Sequence, residues 1–226
     1  LLTRLLDLGI SRISTIISDM AKLSESSVST AIESYDNCTP AKKQIFEWSE
    51  KLRGLQGEVA DLAIELIARY QPVATDLRFI RSCMEIAYDF SRFGRYSYDI
   101  VDVLETMSPI SNCDKSHVLQ MANTVSEMIR LSVQSLHSRD KNAVQKLYQM
   151  DDTVDALYRS YLRKIIDSEL NDKNRDAKHV KEELLEPRCY TSNLLILRYL
   201  ERISDHACYI GDSVNYIVTA TSRPRR

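Results

Sequence analysis

Apolar residues recur along this chain in alternating steps of three and four, and period-2 alternation is nearly absent. That spacing predicts amphipathic helices, each with one stripe turned inward. The pattern breaks at "DNCTP" (36–40), "RYQP" (69–72), "SPISNCD" (108–114), "SRD" (138–140) and "NDKNRD" (171–176), where Pro, Asn, Asp and Ser favour turns. Six helices follow, several of about 30 residues, or roughly 45 Å. Helices that long belong to bundles or coiled coils, whose seams are buried along their whole length.

The seams can be written out. Helix two carries Ile45, Trp48, Leu52, Leu55, Val59, Leu62 and Leu66, and helix three Ile86, Phe90, Phe93, Ser97, Ile100 and Leu104. Helix five carries Leu147, Met150, Val154, Leu157 and Tyr161, and helix six Ile196, Leu200, Ile203, Ala207, Ile210, Val214 and Ile217. The two sets are related. "FSRFGRYSYDI" at 90–100 aligns with "LERISDHACYI" at 200–210, and "EWSEKLRGL" at 47–55 with "QMDDTVDAL" at 149–157. Helices one to three therefore read as an old copy of helices four to six. The expected fold is all-α, two three-helix bundles: residues 1–108, then 114–220, with 221–226 a flexible basic tail.

Composition narrows what such a fold does. With 44% hydrophobic and 27% charged residues the chain reads as soluble and globular. A net charge of −2 excludes a broad field for nucleic acid, despite the terminal "SRPRR". The five glycines are scattered, so the clustered glycines of phosphate-cradling loops are missing and a nucleotide-using enzyme is not expected. Five cysteines, far apart and odd in number, are expected to be reduced thiols of a cytosolic protein, most of them in the core. No run reaches the roughly 18–20 apolar residues of a membrane span, and no secretory signal is visible. The chain begins at Leu1 rather than Met, which leads us to expect a short native start or an upstream module before it.

Two acidic pairs stand at i, i+4: Asp151 with Asp155 on helix five, and Glu201 with Asp205 on helix six. Like charges so placed cost about 0.2–0.5 kcal/mol unless compensated. At about 100° per residue, Glu201 lies about 130° and Asp205 about 170° from the centre of the helix-six seam, so both are expected to face outward. A di-iron core site would instead project its ligands inward and include Glu-x-x-His motifs, which are absent. The first-copy counterparts are Ser49, Arg53, Ser91 and Arg95. Four positions that change together suggest four side chains that work together, although a solvated acidic face is the plainer alternative. Hard oxygen ligands suit Mg²⁺, Mn²⁺ or iron. His206 is expected to be structural, and His117, His137 and His179 have no ligating spacing; Asp99, Asp102, Asp172 and Asp176 look like ordinary surface acids.

Three segments carry a resemblance. "QPVATDLRFI" (71–80) resembles the QPxAxDLR signature of the PhoU family, "YLERISDHA" (199–207) its LERIGDH motif, and "MDDTVDALY" (150–158) its acidic DExxD-x-LY segment. With the repeat, the resemblance covers residues 1–219. It implies six long helices in two bundles related by a pseudo-two-fold repeat. It also implies a cytoplasmic regulator that damps phosphate uptake and phosphate-starvation signalling. The partners implied are the ATP-binding subunit of a phosphate ABC transporter and, in bacteria, a sensor histidine kinase. The membrane is met only through them, nucleic acid is not bound, and a homodimer stays open.

The family's carboxylates can hold multinuclear divalent metal on the bundle surface. They land here on Asp151, Asp155, Glu201 and Asp205, so one cluster of iron, manganese, zinc or magnesium is expected in the second copy. None is expected in the first, where Arg53 and Arg95 offer guanidinium forks to an anion such as phosphate or form plain surface salt bridges. Of the signature residues, Pro72 is expected in the first turn of helix three with Thr75 and Asp76 at its N-terminus. Asp76 and Arg78 are expected to fix that turn. The chain is thus expected to bind and regulate, not to catalyse. The rival readings are a carboxylate-bridged metalloenzyme and a helical accessory domain of a transporter or DNA-binding fusion protein.

Overall fold

The computed structural model describes residues 2–108, 110–140, 142–172 and 187–221; Asp176, His179 and the basic tail from 222 onward lie outside them. Every element among these residues is an α-helix: α1 (Leu2–Asn37), α2 (Lys42–Tyr70), α3 (Ala74–Met107), α4 (Ser116–Ser138), α5 (Ala143–Asp172) and α6 (Pro187–Thr219). The first four breaks read from the sequence fall between successive helices, and the fifth lies mostly outside the described residues. Among the described residues four helices are followed by a left-handed residue, Cys38, Gln71, Arg139 and Ala220: Gln71 at φ 47° donates its N–H to Ile67 O at 3.1 Å, Arg139 at φ 54° to Ser135 O, and Ala220 to Tyr216 O at 3.0 Å. Each of these bonds satisfies an orphan carbonyl of the last turn.

α1, α2 and α3 pack on one another, as do α4, α5 and α6. The two groups are joined chiefly through α3 against α6, with α1 touching α4. The expected seams are the core: Ile45, Leu52, Val59 and Leu66 of α2, Ile86, Phe90, Phe93 and Ile100 of α3, Leu147 and Val154 of α5, and the whole α6 seam are buried. These residues form one continuous cluster across both bundles. α6 is covered on more sides than a three-helix bundle alone requires, because α3 lies against it as well as α4 and α5. It accordingly buries polar residues away from its seam, among them Asn193, Ser204, His206 and Asp212.

Close approach within each bundle depends on a glycine. A Cβ at Gly94 would lie 2.6 Å from Leu52 Cδ1 and 3.3 Å from Ser49 Cα, and one at Gly211 2.7 Å from Leu147 Cδ1. α3 can therefore sit hard against α2, and α6 against α5, only without those side chains.

The turn between α2 and α3 departs from the expectation. α3 begins at Ala74, so Pro72 sits in the connecting turn rather than in the first helical turn. Asp76 is in that first turn, as expected, but Arg78 donates to Thr75 Oγ1 at 3.2 Å rather than pairing with Asp76. The cysteines depart too. Cys113, just before α4, is bonded to Cys189 in the first turn of α6, with 5.4 Å between their Cα atoms, while Cys38, Cys83 and Cys208 are free. The expectation of five reduced thiols missed this pair because their 76-residue separation gives no local signal; only the packing of α4 beside α6 brings them together.

Candidate functional site

α5 presents Asp151 and Asp155 toward the part of α6 that carries Glu201 and Asp205. Asp151 is buried and accepts a hydrogen bond from Ser204 Oγ at 2.6 Å, which ties the two helices. Glu201 accepts from Arg198 at 2.7 Å and lies 3.8 Å from Arg202. Asp205 accepts from Arg202 at 3.1 Å, and Asp155 from Arg159 at 3.2 Å.

The outward, solvent-facing placement expected for Glu201 and Asp205 is corrected here. Their side chains are only 13% and 25% exposed. An angle taken from the α6 seam alone leaves out the groups gathered around them: Arg198 and Arg202 on α6 and Asp155 on α5 lie beside these acids. Burial pushes the carboxyls of Asp151, Glu201 and Asp205 above the ordinary range. Neighbouring acids push the same way: Asp205 acts on Asp151 and Glu201, and Asp155 on all three. The arginines oppose this without reversing it. Three carboxylates with raised pKa values in one half-buried place hold more negative charge than the fold comfortably carries.

The donor set is chemically suited to a hard divalent cation: four carboxylates, three of them with carboxyls raised by burial and by Asp155 or Asp205 nearby. Glu201 Oε2 is buried and accepts no hydrogen bond among the described residues. The arrangement, however, is neutralised by arginine. Among the described residues no group of three or more His, Cys, Asp and Glu is gathered closely enough to hold a metal ion.

In the first bundle the four counterparts also come together. Ser49, Arg53, Ser91 and Arg95 line one cleft of about 200 Å³ between α2 and α3, with Arg92 beside them. Arg53 pairs with Glu50 on the exposed rim. Arg95 grips Asp99 with two bonds, at 2.9 and 3.2 Å. Asp99 is itself mostly buried and its carboxyl is raised by desolvation, so it is not the ordinary surface acid expected from the sequence.

Sequence reasoning missed Asp89. It is fully buried on α3, and its Oδ1 lies 2.7 Å from Nδ1 of His206 on α6, a polar pair at the junction of the two bundles. His206 is structural as expected, with Tyr88, Tyr96 and Tyr209 around its ring. The available signal was an acid directly beside Phe90 of the seam.

Comparison with known proteins places these geometries in a family. The PhoU domain matches the chain twice, at residues 17–104 and 118–214. The chain is 30% identical over 171 residues to a Clostridium acetobutylicum protein described as a phosphate-specific transport system accessory protein PhoU homolog, covering 73% of this chain and 71% of that one. A Methanothermobacter thermautotrophicus protein described as homolog 1 of the same accessory protein is 26% identical over 217 residues, covering 92% and 93%. The fold superposes on the crystal structure of PhoU from Pseudomonas aeruginosa with a TM-score of 0.84 at 22% identity, over 95% of this chain and 99% of that chain.

Proposed function

The chain belongs to the PhoU family, and from that premise we propose that it is a regulator of phosphate uptake that works by contact with a phosphate transport system. The observation that carries this is the double match of the PhoU domain over both bundles, together with relatives described as accessory proteins of phosphate-specific transport. The partner is the ATP-binding subunit of a phosphate ABC transporter, and a sensor histidine kinase where the cell has one. The chain meets them at the cytoplasmic side; among the described residues no helix is long and apolar enough to cross a membrane. Removing the chain from its cell is expected to raise phosphate uptake in phosphate-rich medium, and restoring it to lower uptake again. Uptake indifferent to both changes overturns the reading.

The second-bundle acids take one divalent metal site in this proposal. Asp151, Asp155, Glu201 and Asp205 would hold it, and a bound ion would supply a charged cross-link between α5 and α6. The raised carboxyls support this, as does Glu201 Oε2, which is buried and accepts no hydrogen bond among the described residues. Arg198 and Arg202 must turn aside for it, so Arg202→Gln is expected to tighten metal binding. Metal analysis of the purified chain beside a variant with all four acids changed to Ala tests the site. Equal metal in both, or none in either at cellular concentrations, removes it.

A further inference from the structure

The cleft between α2 and α3 carries chemistry that is the reverse of the second-bundle site. The repeat sets Arg92 on Arg202, Ser91 on Glu201 and Arg95 on Asp205. In the second bundle Arg202 is neutralised by the acids at those places, 3.8 Å from Glu201 and 3.1 Å from Asp205. In the first bundle the equivalent arginine finds a serine and another arginine. Arg92 instead lays its guanidinium over the Tyr96 ring, 4.6 Å from the centroid, and donates to Tyr96 Oη at 2.8 Å. Its Nε is buried with no hydrogen-bond partner among the described residues.

The nearby acid that would answer it, Asp99, is already gripped by Arg95. Three guanidinium groups line a cleft whose one lining carboxylate is Glu50, on the rim. A half-buried guanidinium whose buried Nε has an unmet donor is costly, and a cleft walled by apolar rings focuses its field. Ser49 and Ser91 also line it, the Ser91 hydroxyl donating to Tyr88 O at 2.7 Å. About 200 Å³ admits a tetrahedral oxyanion and a small attached group. Gly94 sets the depth, because the α3 backbone reaches Ser49 Cα there.

We propose that this cleft, with Arg92 at its centre and Arg53, Arg95, Ser49 and Ser91 around it, binds a phosphoryl group, either as free inorganic phosphate or as the phosphate of a small ester. Guanidinium forks match phosphoryl oxygens in geometry as well as charge. Phe46, Tyr88 and Tyr98 at the rim offer flat faces to an aromatic portion of an ester. Taken with the regulatory reading, on which only this last step rests, the cleft is where phosphate status reaches the chain.

The test is calorimetric titration of the whole purified chain with sodium phosphate, adenosine monophosphate and sodium chloride at matched ionic strength. Saturable binding of phosphate or of the monophosphate, and none of chloride, is expected. Arg92→Gln is expected to weaken it about tenfold or more, as loss of a charge-assisted bond does, and Glu50→Gln to tighten it about twofold to fivefold by removing the rim charge. Arg12→Gln, which removes an equal charge from an exposed pair with Glu58, is expected to leave it unchanged. Monophosphate bound tenfold more tightly than phosphate assigns the cleft to an ester; equal or weaker binding assigns it to the free ion. No saturable heat from either, an Arg92→Gln isotherm equal to wild type, or an equal loss in Arg12→Gln overturns the proposal. If Arg92→Gln fails to fold by circular dichroism, Glu50→Gln decides alone, and an unaltered affinity there overturns it. Because no transporter is present, this outcome is independent of the uptake experiment.

Discussion

Two glycines on neighbouring helices separate what the helix backbone wants from what the bundle allows. Gly54 on α2 is exposed with nothing within 4 Å of a Cβ, whereas Gly94 on α3 is buried against Leu52 and Ser49. Replacing either by Ala removes the intrinsic helix penalty of glycine, about 0.8–1 kcal/mol. For Gly54→Ala nothing opposes that gain, so stability is expected to rise by about that amount, or roughly 2–4 °C in a chain of this size. For Gly94→Ala the new methyl would stand 2.6 Å from Leu52 Cδ1 and 3.3 Å from Ser49 Cα. Leu52 is fully buried among core side chains, and the Ser49 atom is backbone. Overpacking of that kind costs about 1–3 kcal/mol, so the net effect runs from roughly no change to a loss of about 2 kcal/mol. The two variants should therefore differ by about 1–3 kcal/mol, read from urea midpoints at equal slope. Should Gly94→Ala stabilise as much as Gly54→Ala, α3 is not pressed on α2 at this point, and the depth assigned to the phosphoryl cleft is wrong.

The raised carboxyls set a pH dependence. In Asp151, Glu201 and Asp205 the folded pKa lies above the unfolded one, so their contribution favours folding below the unfolded carboxylate range and is lost as pH rises through the folded values. The melting temperature of wild type relative to the Asp151→Asn, Glu201→Gln, Asp205→Asn variant should rise as pH falls from 7 toward 5; a constant difference refutes the desolvated site. Thiol titration of the unfolded, unreduced chain is expected to find three free cysteines, and reduction should remove about 4–5 kcal/mol for a bridged loop of this length; five titratable thiols refute the bridge. His206→Ala leaves the buried Asp89 without its 2.7 Å partner and should cost about 1–3 kcal/mol by denaturant midpoint, whereas a change within error marks the pair as energetically idle.

The seams of α2, α3, α5 and α6 were legible because each is a one-dimensional pattern: a three-and-four spacing predicts a buried stripe whatever the stripe packs against. The burial of Glu201 and Asp205 was not, because it depends on side chains gathered around them from α5 as well as α6, and no periodicity within α6 announces those. Asp89 and the Cys113–Cys189 pair escaped for the same reason, since each is explained by a partner more than seventy residues away. The four acids and their four replacements were found as a set only by comparing the repeats, and the structure does gather each set in one place.

That comparison also says why the two halves differ in kind. An arginine stands at the same repeat position in both, Arg92 and Arg202, so the cation is the common element and its surroundings are what changed. In the second bundle Glu201 and Asp205 put carboxylates beside it, their carboxyls raised first by burial and then by neighbouring acids. The first bundle puts a serine and an arginine there and leaves Arg92 Nε unpartnered among the described residues. One scaffold thus presents an excess of carboxylate at one end of the pseudo-symmetry and an excess of guanidinium at the other. Two of the four first-bundle positions carry arginine rather than a neutral residue, so that cleft holds added positive charge. Opposite charge at matched positions is what the divalent-metal and phosphoryl proposals require of the two sites, and α3 packed on α6 places one helix of each against the other.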